Sequence, residues 1–174
     1  KSRRYGRPLL CRLFMGYYLP KALPNANFIK IYAAKKHGGG VILDSGSHAV
    51  DYLTSLFGPI TKGRVLISRL HPLKIESEEI AHLLFEHKDG MTSAVTLDYV
   101  TRKQVHRLEI TTEKGLLTLD LQSDVLFFEN EKQKKILMRG PNIYNQLFLD
   151  ELRHFFDCMR SRRKPLQNLG EARQ

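Results

Sequence analysis

The chain has 174 residues, 42% hydrophobic and 26% charged, enough for one domain with a buried core. No apolar run is long enough to span a bilayer, and none reads as a signal peptide. Cys11 and Cys158 are the two cysteines and stand far apart, which speaks against a zinc site or disulfide framework and for a reducing, cytoplasmic compartment.

The net charge of +10 is uneven. Residues 1–37 hold nine Lys or Arg and no acidic side chain, residues 38–130 nine basic against thirteen acidic, and residues 131–174 ten against five. Nucleic acid, an anionic sugar substrate or an acidic neighbouring domain could each explain such basic ends. The nucleic-acid explanation lacks a binding motif and aromatic residues interleaved in the basic runs.

Pro8 to Tyr18 reads as a strand, with Leu9, Leu10, Leu13, Phe14, Tyr17 and Tyr18 apolar or aromatic. Pro20, Pro24 and the Asn25–Asn27 cluster then predict a loop, and Lys35-Lys36 follows. That lysine pair suits either a solvated surface or contact with an anion or hydroxyl. Next come Gly38-Gly39-Gly40 and a helical pattern through Val41, Leu43, Val50, Leu53 and Phe57, stopped by Gly58-Pro59.

Asp44, His48 and Asp51 lie four and three residues apart, which places them on one helix face. A carboxylate beside an imidazole suits proton transfer, because it fixes the ring tautomer and raises its basicity. Two plainer roles stay open: Asp44 as a helix cap and His48 as a hydrogen-bonded core histidine. A dinucleotide loop is excluded here, since G-x-G-x-x-G would need glycine where Leu43 stands and a buried strand before it.

Beyond Pro59 the period becomes strand-like: Arg64 to Leu70, Glu78 to His87, Met91 to Val100, a run alternating through His106, Leu108 and Ile110, then Leu117 to Leu121 and Val125 to Phe128. Lys88-Asp89-Gly90 and Glu113-Lys114-Gly115 are turn signals. These hairpin connections predict a mostly antiparallel, open-faced sheet of about six or more strands, with helices on one face, an α+β fold. His71, His82, His87 and His106 lack metal-ligand spacing and read as surface or sheet-face residues, so no metal is expected. Pro141-Asn142 opens a second long helix with Asn142 as N-cap. Its stripe of Tyr144, Leu147, Phe148, Leu152, Phe155, Phe156 and Met159 predicts core packing. Arg160, Arg162, Arg163 and Lys164 suit the helix dipole at its end, and Pro165 closes it.

The stretch Tyr32-x-x-Lys35-Lys36-x-Gly38-Gly39-Gly40-Val41-x-x-Asp44-x-Gly46-x-His48-x-x-Asp51 resembles the signature of the second domain of the glucose–fructose oxidoreductase, inositol dehydrogenase and MocA family. The order of the flanking elements extends the resemblance over nearly the whole chain. It implies that residues 1–174 form the α+β substrate-binding and oligomerisation domain of a dinucleotide-dependent sugar or polyol oxidoreductase. The chain begins at Lys1 rather than Met, and the expectation is that a dinucleotide-binding domain lies upstream. The resemblance assigns proton transfer to His48 and Asp44, substrate contact to Tyr32, Lys35 and Lys36, and motif support to Gly39, Gly40 and Asp51. It implies NAD or NADP, bound mainly by the other domain; a sugar or polyol substrate, including an anionic one; and a homo-oligomer formed through the sheet, away from any membrane. Where relatives often carry Trp, this chain has Ser55. Two other classes remain open: a regulatory or binding protein on the same fold, and a basic nucleic-acid-binding module.

Overall fold

A computed structural model describes residues 4–22, 24, 39–70, 73–140 and 144–165. Residues 1–139 and 140–174 form two compact units. The first contains strands β1 (Pro8–Tyr18), β2 (Ile60–Ser68), β3 (Ile80–His87), β4 (Thr92–Asp98), β5 (Val100–Thr112), β6 (Gly115–Asp120), β7 (Val125–Glu129) and β8 (Lys134–Arg139). It also contains a short helix α1 (Leu19–Ala22), a π turn (Ile42–Gly46) and helix α2 (Ser47–Phe57).

The strands form one sheet in the order β2-β3-β4-β1-β5-β6-β7-β8. Every neighbouring pair is antiparallel except β1 and β4, which run parallel from Leu10↔Thr92 to Gly16↔Asp98. The open, mostly antiparallel sheet matches the expectation. The parallel pair does not follow from reading hairpins alone. β4 and β5 are consecutive and separated by Tyr99, yet β1 lies between them. The chain therefore steps across the end of β1 instead of turning back as a hairpin.

Strand parity decides which side chains face the core. Leu13, Val95 and Leu83 are cross-strand neighbours on one face and are buried. Ala49 and Leu53 of α2 pack into the same cluster, with Leu97 and Tyr99. Burying Leu53 fully stabilises the helix–sheet contact by about 1.5–3 kcal/mol. The helix ends at Gly58, whose φ of 84° suits glycine and whose N–H donates to the Thr54 carbonyl at 2.9 Å.

β8 was hidden from pattern reading because Lys134, Lys135 and Arg139 dilute the alternation of Ile136 and Met138. β5 is also longer than its apolar core suggests: it begins at Val100, the partner of Tyr18, and the polar run 101–104 falls in the register shift between Gly16 and Tyr18 of β1.

The second unit contains helix α3 (Tyr144–Ser161). Its stripe is not buried as expected: Phe148, Leu152, Phe155, Phe156 and Met159 are all more than half exposed. The proposed N-cap Asn142 lies outside the described residues, as does His71. No helix among the described residues is long and apolar enough to cross a membrane.

Candidate active site

The motif helix begins irregularly. Ile42–Gly46 is a π turn, and α-helical geometry starts only at Ser47. Such one-turn bulges are frequent at functional sites. Gly40 precedes it with φ of 130°, and a Cβ there would fall 2.2 Å from Glu78 Oε1. The same Glu78 oxygen accepts the Ile42 N–H at 3.1 Å, and the Glu78 carbonyl accepts the Val41 N–H at 3.2 Å. The helix N-terminus is thus capped from the loop before β3.

Asp44 does not serve as the cap. Its Oδ2 accepts hydrogen bonds from Tyr17 at 2.5 Å, Tyr99 at 3.2 Å and Ser45 at 3.4 Å. Tyr17 and Tyr99 meet edge-on, with ring centroids 5.4 Å apart. Burial first, and then the charge of Asp44, push the Tyr99 phenol well above its ordinary pKa, so it remains a donor.

Tyr99 is itself held by its backbone. Its N–H donates to the Glu79 carbonyl at 2.9 Å, and its carbonyl accepts the Leu19 N–H at 3.1 Å. The fully buried Glu79 carboxylate accepts the N–H groups of Leu70 at 3.1 Å and Leu73 at 3.0 Å. Asp98 closes the crossing by accepting the Val100 and Thr101 N–H groups at 2.9 and 2.7 Å. Gly16 must lack a side chain there, since a Cβ would sit 2.7 Å from Asp98 Oδ2.

His48 follows Asp44 by four residues and is exposed, so it is not a hydrogen-bonded core histidine. The two side chains share no hydrogen bond among the described residues: the Asp44 partners are the three hydroxyls. Because Asp44 sits in the π turn, its offset of four no longer has α-helical geometry. Asp44 Oδ1 accepts no hydrogen bond among the described residues. Asp51 is exposed, as is Ser55. Tyr32, Lys35 and Lys36 lie outside the described residues; of the glycines, Gly39 and Gly40 are described.

Two histidines read as surface or sheet-face residues are in fact packed against α2. His87 is 1% exposed, with Nδ1 3.0 Å from the Gly58 carbonyl oxygen and Nε2 2.6 Å from Ser93 Oγ. His106 is half-buried, its ring 5.7 Å from that of Tyr52. Burial first, and then the nearby His48, lower its pKa from 6.5. Tyr17, Glu78, Tyr99 and His106 were missed as site residues. Strand parity was the available signal for Tyr17 and Tyr99; nothing local marked Glu78.

The buried Cys11 thiol is pushed up to about 12 by burial and by Glu109, and is inert at neutral pH. Among the described residues, no group of three His, Cys, Asp or Glu side chains could hold a metal ion.

A model of the GFO/IDH/MocA C-terminal domain matches residues 1–118. The chain belongs to this family. The D-apiose dehydrogenase of Rhizobium rhizogenes is 26% identical over an alignment covering 49% of this chain and 31% of that protein. Among solved structures, an oxidoreductase from Agrobacterium radiobacter in complex with NAD+, L-tartaric acid and magnesium superposes with a TM-score of 0.78 at 19% identity, covering 98% of this chain and 52% of that one. An aldose-aldose oxidoreductase from Caulobacter crescentus, complexed with glycerol, gives 0.78 at 17% identity, covering 98% and 50%. These structural likenesses show that the Gfo/Idh/MocA fold is shared. The chain spans about a third of the curated relative and about half of these structural ones.

Proposed function

We propose that the chain is the C-terminal, substrate-side domain of an NAD(P)-dependent sugar or polyol oxidoreductase. The observation that carries this is the cluster at Asp44: a carboxylate held by Tyr17 and Tyr99, one residue step of four before the exposed His48. His48 removes or returns the proton of the reacting hydroxyl, and being exposed it is reachable by substrate. Asp44 acts through position. Its Oδ2 is fixed by hydroxyl donors, and Oδ1 is left to orient His48 or a substrate hydroxyl. Lys35, Lys36 and Tyr32 contact the substrate in this assignment, and the lysines favour an anionic sugar.

Among the described residues, the glycine-led helix start at Gly40 does not fit the cofactor pyrophosphate, because the Glu78 carboxylate occupies the place where an anion would otherwise bind. NAD or NADP is therefore assigned mainly to another domain of the same protein, where it accepts or supplies the hydride. The sheet face opposite α2 supports a homo-oligomer. Leu66 and Leu84 stand on it at 68% and 58% exposure, beside Arg64 and His82.

A second reading, a binding protein on this fold without turnover, is favoured by the missing Asp44–His48 hydrogen bond. Formation of NAD(P)H by the full-length protein separates the two. D-apiose, myo-inositol, glycerol and L-tartrate serve as substrates with NAD+ and with NADP+. Turnover that collapses in His48→Ala supports the oxidoreductase; no turnover of any, or turnover indifferent to His48→Ala, overturns the assignment.

A further inference from the structure

His106 has a polar atom with nothing to do. Among the described residues, its Nε2 is the buried side-chain nitrogen or oxygen that lacks a hydrogen-bond partner. Leaving such a group unpaired costs stability, and the exceptions cluster where a ligand or catalytic role compensates. The contrast with His87, whose ring nitrogens are both engaged, shows that this fold can satisfy an imidazole packed against α2.

The register places His106 on the sheet face beneath the motif helix. His106 on β5 is the partner of Met15 on β1, and Met15 precedes Tyr17 by two residues. Met15, Tyr17 and His106 therefore share the sheet face on which α2 packs. From the helix side, Tyr52 stacks near the His106 ring and follows His48 by four residues. His48 and Tyr52 share one face of the motif helix, with Asp44 in the π turn before it, and the sheet side carries Tyr17, Tyr99 and His106. Burial first, and then the neighbouring His48, disfavour a positive charge on His106. A neutral imidazole can donate or accept through a ring nitrogen, which matches an uncharged hydroxyl better than a carboxylate or phosphate.

We propose that His106 is a substrate-binding residue, its Nε2 forming a hydrogen bond with a hydroxyl of the sugar or polyol next to the one on which His48 acts. The inference rests on the proposed oxidoreductase activity and adds a specificity contact to it. A site built to bond a hydroxyl discriminates against analogues lacking it, because the protein group is then left buried and unpaired.

The test uses the full-length protein and whichever of D-apiose, myo-inositol, glycerol and L-tartrate the wild type oxidises fastest. His106→Phe keeps a ring against Tyr52 and removes the nitrogen. KM is expected to rise about 10–100-fold, with kcat held within about threefold, the pattern of a lost uniform binding contact. His106→Gln, whose amide reaches the same point, is expected to recover most of that rise. Unchanged KM in both variants, with an active wild type, overturns the His106 assignment and leaves the activity standing. An inactive wild type overturns the activity itself, and this inference with it. Independently of any variant, saturating substrate is expected to shift the His106 Nε2 resonance in 15N-histidine-labelled wild type; a resonance that does not move overturns the contact.

Discussion

His87 and His106 are both packed under α2, His87 at its C-terminal end and His106 at its middle, towards the Asp44 side. His87 meets Phe57 edge-on, with ring centroids 5.6 Å apart, and engages both ring nitrogens with fixed partners. His106 stacks near Tyr52 and leaves Nε2 unpaired. Burial alone does not separate a structural histidine from a binding one; the hydrogen-bond ledger does. At the His87 end the helix terminates at Gly58, and the imidazole ties that terminus to β4. At the other end the donors converge on Asp44 and leave groups unfilled. One end of the helix is closed on itself, and the other is arranged for something else to complete.

The sharpest way to break that contrast is at His48. In the full-length protein, if it turns over as proposed, His48→Ala should lower kcat by about 10²–10⁴, the usual worth of a positioned acid–base group. Its exposure means the melting temperature should barely move. Asp44→Asn should also slow turnover, and the double variant should lose far less than the product of the single losses. Near-normal kcat in folded His48→Ala removes the catalytic assignment.

At the closed end the pattern should invert. His87→Ala empties a buried site and leaves the Ser93 hydroxyl without its partner, so stability should fall by about 2–4 kcal/mol. Urea melts measure this, and kcat per folded molecule should stay as in the wild type. A strong loss of kcat would erase the distinction between the two ends.

Tyr99→Phe tests the link between them. It removes one donor from Asp44 while keeping the packed ring. Stability should fall by about 1 kcal/mol, with a drop in kcat of about tenfold as Asp44 loses orientation. An unaltered kcat would show that Tyr17 and Ser45 suffice to position the carboxylate.

The smallest effect is a pH dependence. The folded-state pKa of His106 is depressed below 6.5 by burial and by His48. The unfolded chain therefore binds the proton more readily. The stabilising contribution of neutral His106 is complete above about pH 6.5 and is lost as pH falls through the lower folded value. Subtracting the stability curve of His106→Phe from that of the wild type should give a line flat above pH 6.5 and falling below it. A flat difference throughout would show that the ring is not depressed.

Part of the candidate site was legible because it is local: Asp44 and His48 are four residues apart in one motif, although the π turn takes Asp44 out of the α-helical spacing that the sequence predicts. Gly58 ending the helix was equally plain, as was the alternation that assigned β1, β4 and β6. Tyr17, Tyr99 and His106 were not legible as a group, since Tyr17 meets Tyr99, and His106 lies beside Met15, only through the pairing of β1 with β4 and β5. Parity says which face a strand residue takes, but no local pattern says which strand will lie beside it. The π turn was invisible for a related reason: an α-helix and a one-residue bulge share the same apolar spacing over so short a run. Glu78 was missed because its role depends on the close approach of Gly40, a contact between segments far apart in sequence.

The placement of β1 has a consequence for how the chain reaches this structure. The first strand of this sheet in chain order occupies an interior position, and both its edges pair with residues beyond position 90. Until β4 and β5 exist, β1 has no partner; once they exist, they cannot close on each other without excluding it. Non-local pairing of this kind slows folding, because loop-closure entropy is spent before contacts repay it. Trimming the N-terminus through Tyr18 would therefore do more than shorten an edge. It would divide the sheet into a three-stranded piece and a four-stranded piece, each with a newly exposed edge open to pairing with other chains.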